Sequence, residues 1–147
     1  MDFSLPVAAI IDFAIWLRNS LRVWINSCIS VGKLFLAADD PLRVRSYATR
    51  TGLTGHTKNS LTQLPVLERD LSKVRQYGFA RDNEELELGV RCMAAGIYDD
   101  QGKLVAGLSI SAPAERLEEA WLPKLQDTAK EISASLGHRA EAFQQLR

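Results

Sequence analysis

The chain is poor in cysteine and histidine, has no excess of either charge, and carries no hydrophobic run long enough to cross a bilayer. Its two cysteines, Cys28 and Cys92, lie far apart with no CxxC pair, which excludes a disulfide-dense scaffold and a zinc ribbon. Free thiols in a reducing, cytoplasmic setting are expected, with a single bridge between the two as the alternative. His56 falls in a Gly/Thr-rich stretch and His138 just past the last predicted helix, so both are expected at the surface. Eighteen basic and eighteen acidic residues cancel, which removes the basic footprint that holds DNA by neutralising phosphates. The most apolar run, residues 3–17, is shorter than the ~20 residues of a membrane helix and contains Pro6 and Asp12. It also lacks the basic start of a signal peptide. No membrane association is expected, and the run reads as the first buried element of the domain. Nucleophile elbow, phosphate loop, HExxH and dinucleotide fingerprint are all missing. No catalytic residue, cofactor or metal site is therefore assigned, and an enzyme is not expected.

What is present suits one folded domain: 147 residues, 46% of them apolar. Leu21–Ile25 is rich in aromatic and branched residues and reads as a short strand. Ser30 to Lys33 leads into a short helix stopped by Asp39-Asp40-Pro41. Residues 48–60 hold Gly, Thr and Asn and read as the clearest loop. Leu67, Leu71 and Val74 form one helical stripe, capped by Ser60 or Thr62, admitting Pro65 in its first turn and stopped by Gly78. A hairpin follows, from Cys92 to Ser111 with its reversal at Asp99–Lys103. A last helix starts between Leu117 and Trp121 and carries Leu122, Leu125, Ala129, Ile132 and Leu136. The order implies an α+β domain, one antiparallel sheet with helices against it.

The chemistry concentrates between residues 78 and 111. Asp82, Glu84, Glu85 and Glu87 crowd into six positions. Such acids suit acid–base catalysis, a cation, a solvated connection, or the rim of a small-molecule site. No histidine accompanies them, and the alternating oxygen ligands of a calcium loop are not there. Gly89, Cys92, Ser109 and Ser111 then place small polar groups in apolar strand sequence. Ser109 and Ser111 share a face because strand side chains alternate. Two hydroxyls there either bond backbone at a strand end or meet a polar ligand.

Several of these signatures, taken with their spacing, resemble the effector-binding domain of IclR-family transcription regulators. Gly78-Phe79, then Asp82/Glu84/Glu85, then Gly89-Val90-Arg91-Cys92, then Ser109-Ile110-Ser111-Ala112-Pro113 follow the family pattern over residues 61–138. CISVGKLFLA, from Cys28, matches its loop-to-helix segment more weakly, with Ile29 in place of the usual Ser or Thr. The resemblance implies a profilin- or GAF-like fold, a curved antiparallel sheet flanked by helices, that senses a small organic acid or sugar acid without turnover. It implies a ligand-binding set of Ser30, Val31, Asp82, Cys92, Ser109 and Ser111, with Glu84, Glu85 and Glu87 shaping and solvating the loop that carries Asp82. The expected organisation is a divergent apolar segment over 1–24, a partial effector-binding domain over 25–138 and a tail over 139–147. The family's DNA-reading helix-turn-helix is not recognisable, so a truncated regulator without DNA contact of its own is expected, partnered by its own copies or by a full-length relative. A non-sensing dimerisation module of the same descent is the alternative.

Overall fold

A helix that is apolar almost all round must be buried almost all round, and α1 (Ser30–Ala38) is: seven of its nine residues are inaccessible. The computed structural model describes residues 30–139. The expected strand at Leu21–Ile25, Cys28, and the segments 1–24 and 140–147 lie outside the described residues. Asp39-Asp40-Pro41 ends α1 and also opens α2 (Pro41–Thr51), since the Asp40 carboxylate accepts the Leu42 N–H at 2.7 Å and Pro41 occupies a first-turn position. The loop expected at 48–60 is thus helical up to Thr51. Only Val44, Tyr47 and Ala48 of α2 are buried, a stripe too narrow to stand out among PLRVRSYATRT. Gly52, at φ 65°, closes the helix in the left-handed region.

α3 (Leu64–Tyr77) buries the expected Leu67, Leu71 and Val74 and ends at Gly78, φ 77°. Its N-cap is Gln63, which makes no side-chain capping bond, so neither Ser60 nor Thr62 caps it. The Ser60 hydroxyl is used elsewhere: it accepts the His56 and Thr57 N–H groups and donates to the Glu85 carbonyl at 2.6 Å. The acidic stretch, expected as a loop throughout, begins as a strand. β1 (Phe79–Asn83) pairs antiparallel with β2 (Val90–Tyr98), and β2 with β3 (Leu104–Pro113), giving the order β1-β2-β3. The hairpin reverses as its composition predicts: Asp99 Oδ1 accepts the Gln101 and Lys103 N–H groups, and Gly102 takes φ 74°. A 3-10 turn at Glu119–Trp121 precedes α4 (Leu122–Ser135), which buries Leu125, Ala129 and Ser133.

The sheet is sandwiched. Ala80 and Ala94 face a core built with Val31, Leu34, Leu67 and Leu71, so α1 lies on this face with α3 against it. Met93, Ala95, Ile97 and Leu108 face the other way, onto Leu125 and Ala129 of α4. Full burial of side chains such as Leu67 and Leu71 contributes ~1.5–3 kcal/mol each. The sheet's middle is built of alanine and glycine, which lets α1 approach closely: a Cβ at Gly107 would stand 3.0 Å from Val31 Cγ1 and 3.2 Å from Leu34 Cδ1.

Candidate functional site

Strand register decides which polar groups meet. Asp82 pairs with Cys92 and Cys92 with Ser111, so the three form one row across the sheet. Ala80, Ala94 and Ser109 form the next row on the same face, and Gly96 and Gly107 the one after. This is the face that α1 covers. Val31 packs over Gly107, and Ser30 beside it in the chain is 1% exposed. The six residues expected to form a ligand site are therefore assembled around one sheet face: Asp82, Cys92, Ser109 and Ser111 on the strands, with Ser30 and Val31 at the start of the helix above. Cys92 Sγ and Ser111 Oγ are 3.1 Å apart and share a hydrogen bond. Asp82 and Ser109 are buried, whereas Cys92 and Ser111 are partly exposed.

The Asp82 carboxylate also organises its own turn. Its Oδ1 accepts the Glu85 N–H at 2.8 Å, and the chain reverses through Glu84, a non-glycine residue at φ 59°. Thr57 adds a hydroxyl to the Glu84 carbonyl at 2.6 Å, so the 52–63 loop holds the turn from outside. Burial pushes the Asp82 carboxyl up, against the opposing pull of the Glu85 N–H and of Lys33.

Glu85 departs from its expected role. It is 3% exposed and neither solvates nor borders water. Its Oε2 accepts Lys33 Nζ at 2.8 Å and the Asn83 N–H at 3.0 Å. Lys33, 1% exposed, also binds Asp70 Oδ2 and the Arg81 carbonyl, both at 2.7 Å. One ammonium thus ties α1 to α3, to β1 and to the turn after β1. Burial raises the Glu85 carboxyl despite this partner. Sequence reasoning passed over Lys33, although a lone cation in the apolar stretch SVGKLFLAA signals a buried acid partner. Beyond this cluster, Glu84 and Arg91 pair at 3.5 Å, and on the α4 side Arg81 forms a bidentate pair with Glu119. That pairing holds the Glu119 carboxyl below its usual range. His56 is exposed as expected. His138 is partly covered, its Nδ1 3.0 Å from the Asp99 carbonyl and its ring tilted against Tyr98.

A separate groove of about 700 Å³ lies at the hairpin end of the sheet, between Phe35 and Arg43 on one side and Tyr98 to Val105 on the other. None of the six expected residues lines it. Among the described residues no group of His, Cys, Asp and Glu is arranged to hold a metal ion, and no helix is long and apolar enough to cross a membrane.

Residues 24–135 match the family model of the bacterial transcriptional regulator IclR C-terminal domain. The chain belongs to the IclR family. Its three-stranded antiparallel sheet with flanking helices is the α+β, GAF-like architecture of IclR C-terminal domains. The HTH-type transcriptional repressor AllR of Escherichia coli K12 is 38% identical over 113 residues, which are 74% of this chain and 42% of AllR. The chain spans about a third to two-fifths of the length of the AllR proteins it matches. Among solved structures, the transcriptional regulator YaiJ superposes with a TM-score of 0.71 at 35% identity, covering 76% of this chain and 65% of YaiJ. The inducer-binding domain of PobR from Acinetobacter, solved as a double mutant with 3-hydroxybenzoic acid, gives 0.69 at 28% identity, covering 73% and 64%. The relatives of this IclR-type domain are transcription regulators, not enzymes.

Proposed function

We propose that this domain is the effector-binding part of an IclR-type regulator and takes a small organic acid or sugar acid, without turnover, at the sheet face under the start of α1. The observation that carries the reading is the row Asp82–Cys92–Ser111 with Ser109 beside it, polar groups on a sheet face whose neighbouring positions are Ala80, Ala94, Gly96 and Gly107. Hydroxyl and thiol donors of this kind suit the carboxylate and hydroxyl oxygens of a small acid. PobR's complex with 3-hydroxybenzoic acid supports the ligand class. Ser30 and Val31 would close the site from the helix side, so that a bound acid favours one seating of α1 over another. Self-association with its own copies or with a full-length regulator, in the cytoplasm, belongs to the same reading, and reading DNA is left to other parts of such regulators. Calorimetric titration of the purified chain with pyruvate, gluconate and 3-hydroxybenzoate tests the proposal. One saturable site per chain is expected; no binding by a folded sample would leave the domain as an interaction module only.

A further inference from the structure

The charges under α1 do not balance. Lys33 is the ammonium in this cluster, and its three hydrogens are all committed, to Asp70, Glu85 and the Arg81 carbonyl. Three carboxyls surround it. Asp70, on α3, keeps a third of its side chain in solvent, so water shares its charge. Glu85 and Asp82 are each 3% exposed and adjacent, since Asp82 accepts the Glu85 N–H. The remaining charged neighbours are turned elsewhere: Arg81 pairs with Glu119 on the α4 side, and Arg91 with Glu84 at the surface. Cys92 is the group opposite Asp82 on β2.

Lys33 can therefore neutralise one of the two buried carboxylates but not both. A second observation points the same way. Glu85 Oε1 is fully buried and has no hydrogen-bond partner, an arrangement that suits a carboxyl group short of full negative charge. Two like charges held in a dry site resolve the conflict when one of the two carboxylates takes up a proton. Burial, which raises both carboxyls, acts in this direction, and the Asp82 charge raises Glu85 further.

We propose that Asp82 and Glu85 together hold one proton at neutral pH, and that this proton is what admits an organic anion beside Asp82. The second half rests on the ligand reading above. An ionised Asp82 would repel an incoming carboxylate, whereas the singly protonated pair keeps one negative charge, which Lys33 faces at 2.8 Å, and solvent shares the charge of Asp70. Below the pair's apparent pKa the proton is already in place. Above it, the anion must bring one, and affinity falls by about tenfold per pH unit.

Two measurements decide the matter. The first is carbon-detected NMR of the Asp and Glu carboxyls in the free chain, with Asp82→Asn to assign the step; the asparagine keeps the oxygen that accepts the Glu85 N–H. A titration step of the pair with its midpoint at or above pH 7, abolished in Asp82→Asn, is expected. Midpoints that all fall below pH 7 overturn the proposal. The second is calorimetry with 3-hydroxybenzoate, pyruvate and gluconate, in two buffers of different protonation enthalpy, at a pH at least one unit above the midpoint that NMR gives. Uptake approaching one proton per bound anion is expected, and binding with no uptake refutes the link between proton and anion. If none of the three acids binds while the NMR step is present, the anion half falls and the shared proton stands.

Discussion

Ser109 and Ser111 show how one residue type serves two purposes in a single strand. Ser111 hydrogen-bonds Cys92, and Ser109 is buried one row further under the helix. Replacing both by alanine should weaken an acid ligand by ~1–3 kcal/mol per lost hydrogen bond while the chain stays folded, measurable by calorimetry beside circular dichroism. Unchanged affinity would remove the serines from the site. Asp82 and Glu85 carry a pH signature of their own. Both folded-state values lie above the ordinary 3.8 and 4.5, so the folded chain binds protons more tightly than the unfolded one. Their stabilising share is complete below those ordinary values and is lost as pH rises through the raised ones. Asp82→Asn, which cannot ionise, should gain stability relative to the parent chain as pH rises from about 5 to 9. Parallel urea-denaturation midpoints across that range would contradict this.

At the scale of elements, packing is governed by what the sheet omits. Gly107 lets Val31 and Leu34 rest almost on the β3 backbone, and a methyl group there must push α1 away. Gly107→Ala should cost about 1–3 kcal/mol in chemical denaturation and should also lower effector affinity, because Ser30 and Val31 move with the helix. Normal affinity in a destabilised protein would show that α1 is not a wall of the site. The same scale explains how far the sequence could be read. α3, the hairpin and the last helix have strong periodicity or turn chemistry and were legible. α2 was not, because three buried residues among polar ones give a faint stripe. β1 was missed because a five-residue strand, FARDN, whose charged residues point to both faces has the composition of a loop. The candidate site was legible in Ser109 and Ser111, whose alternation fixes a common face, while Ser30, Val31, Asp82 and Cys92 were indicated by the family resemblance alone. It was not legible in Glu85, whose burial depends on a lysine 52 positions away.

For the molecule as a whole, Lys33 is the junction. Its three bonds join α1, α3 and β1, and no other polar contact described above reaches so many elements. Lys33→Met keeps most of the volume but leaves Glu85 buried without a counter-charge. The loss should be about 3–5 kcal/mol, read as a fall in the urea midpoint with an unchanged m-value. A loss under about 1 kcal/mol would mean that the cluster is already neutral without its ammonium, or that water replaces it.

The alternation along β1 has a consequence for how such a chain can change over time. Asp82 points toward α1 and Arg81 toward the α4 side, where Glu119 waits. Inserting or deleting one residue in β1 would exchange these faces, sending the arginine into the lysine's cluster and the aspartate toward Glu119. Substitutions can accumulate in this strand one at a time, but changes in its length cannot. The 52–63 loop beside it is freer to vary in length, provided that Thr57 and Ser60 still reach the turn. Among descendants of this sequence, insertions and deletions should collect in that loop and spare the five residues of β1.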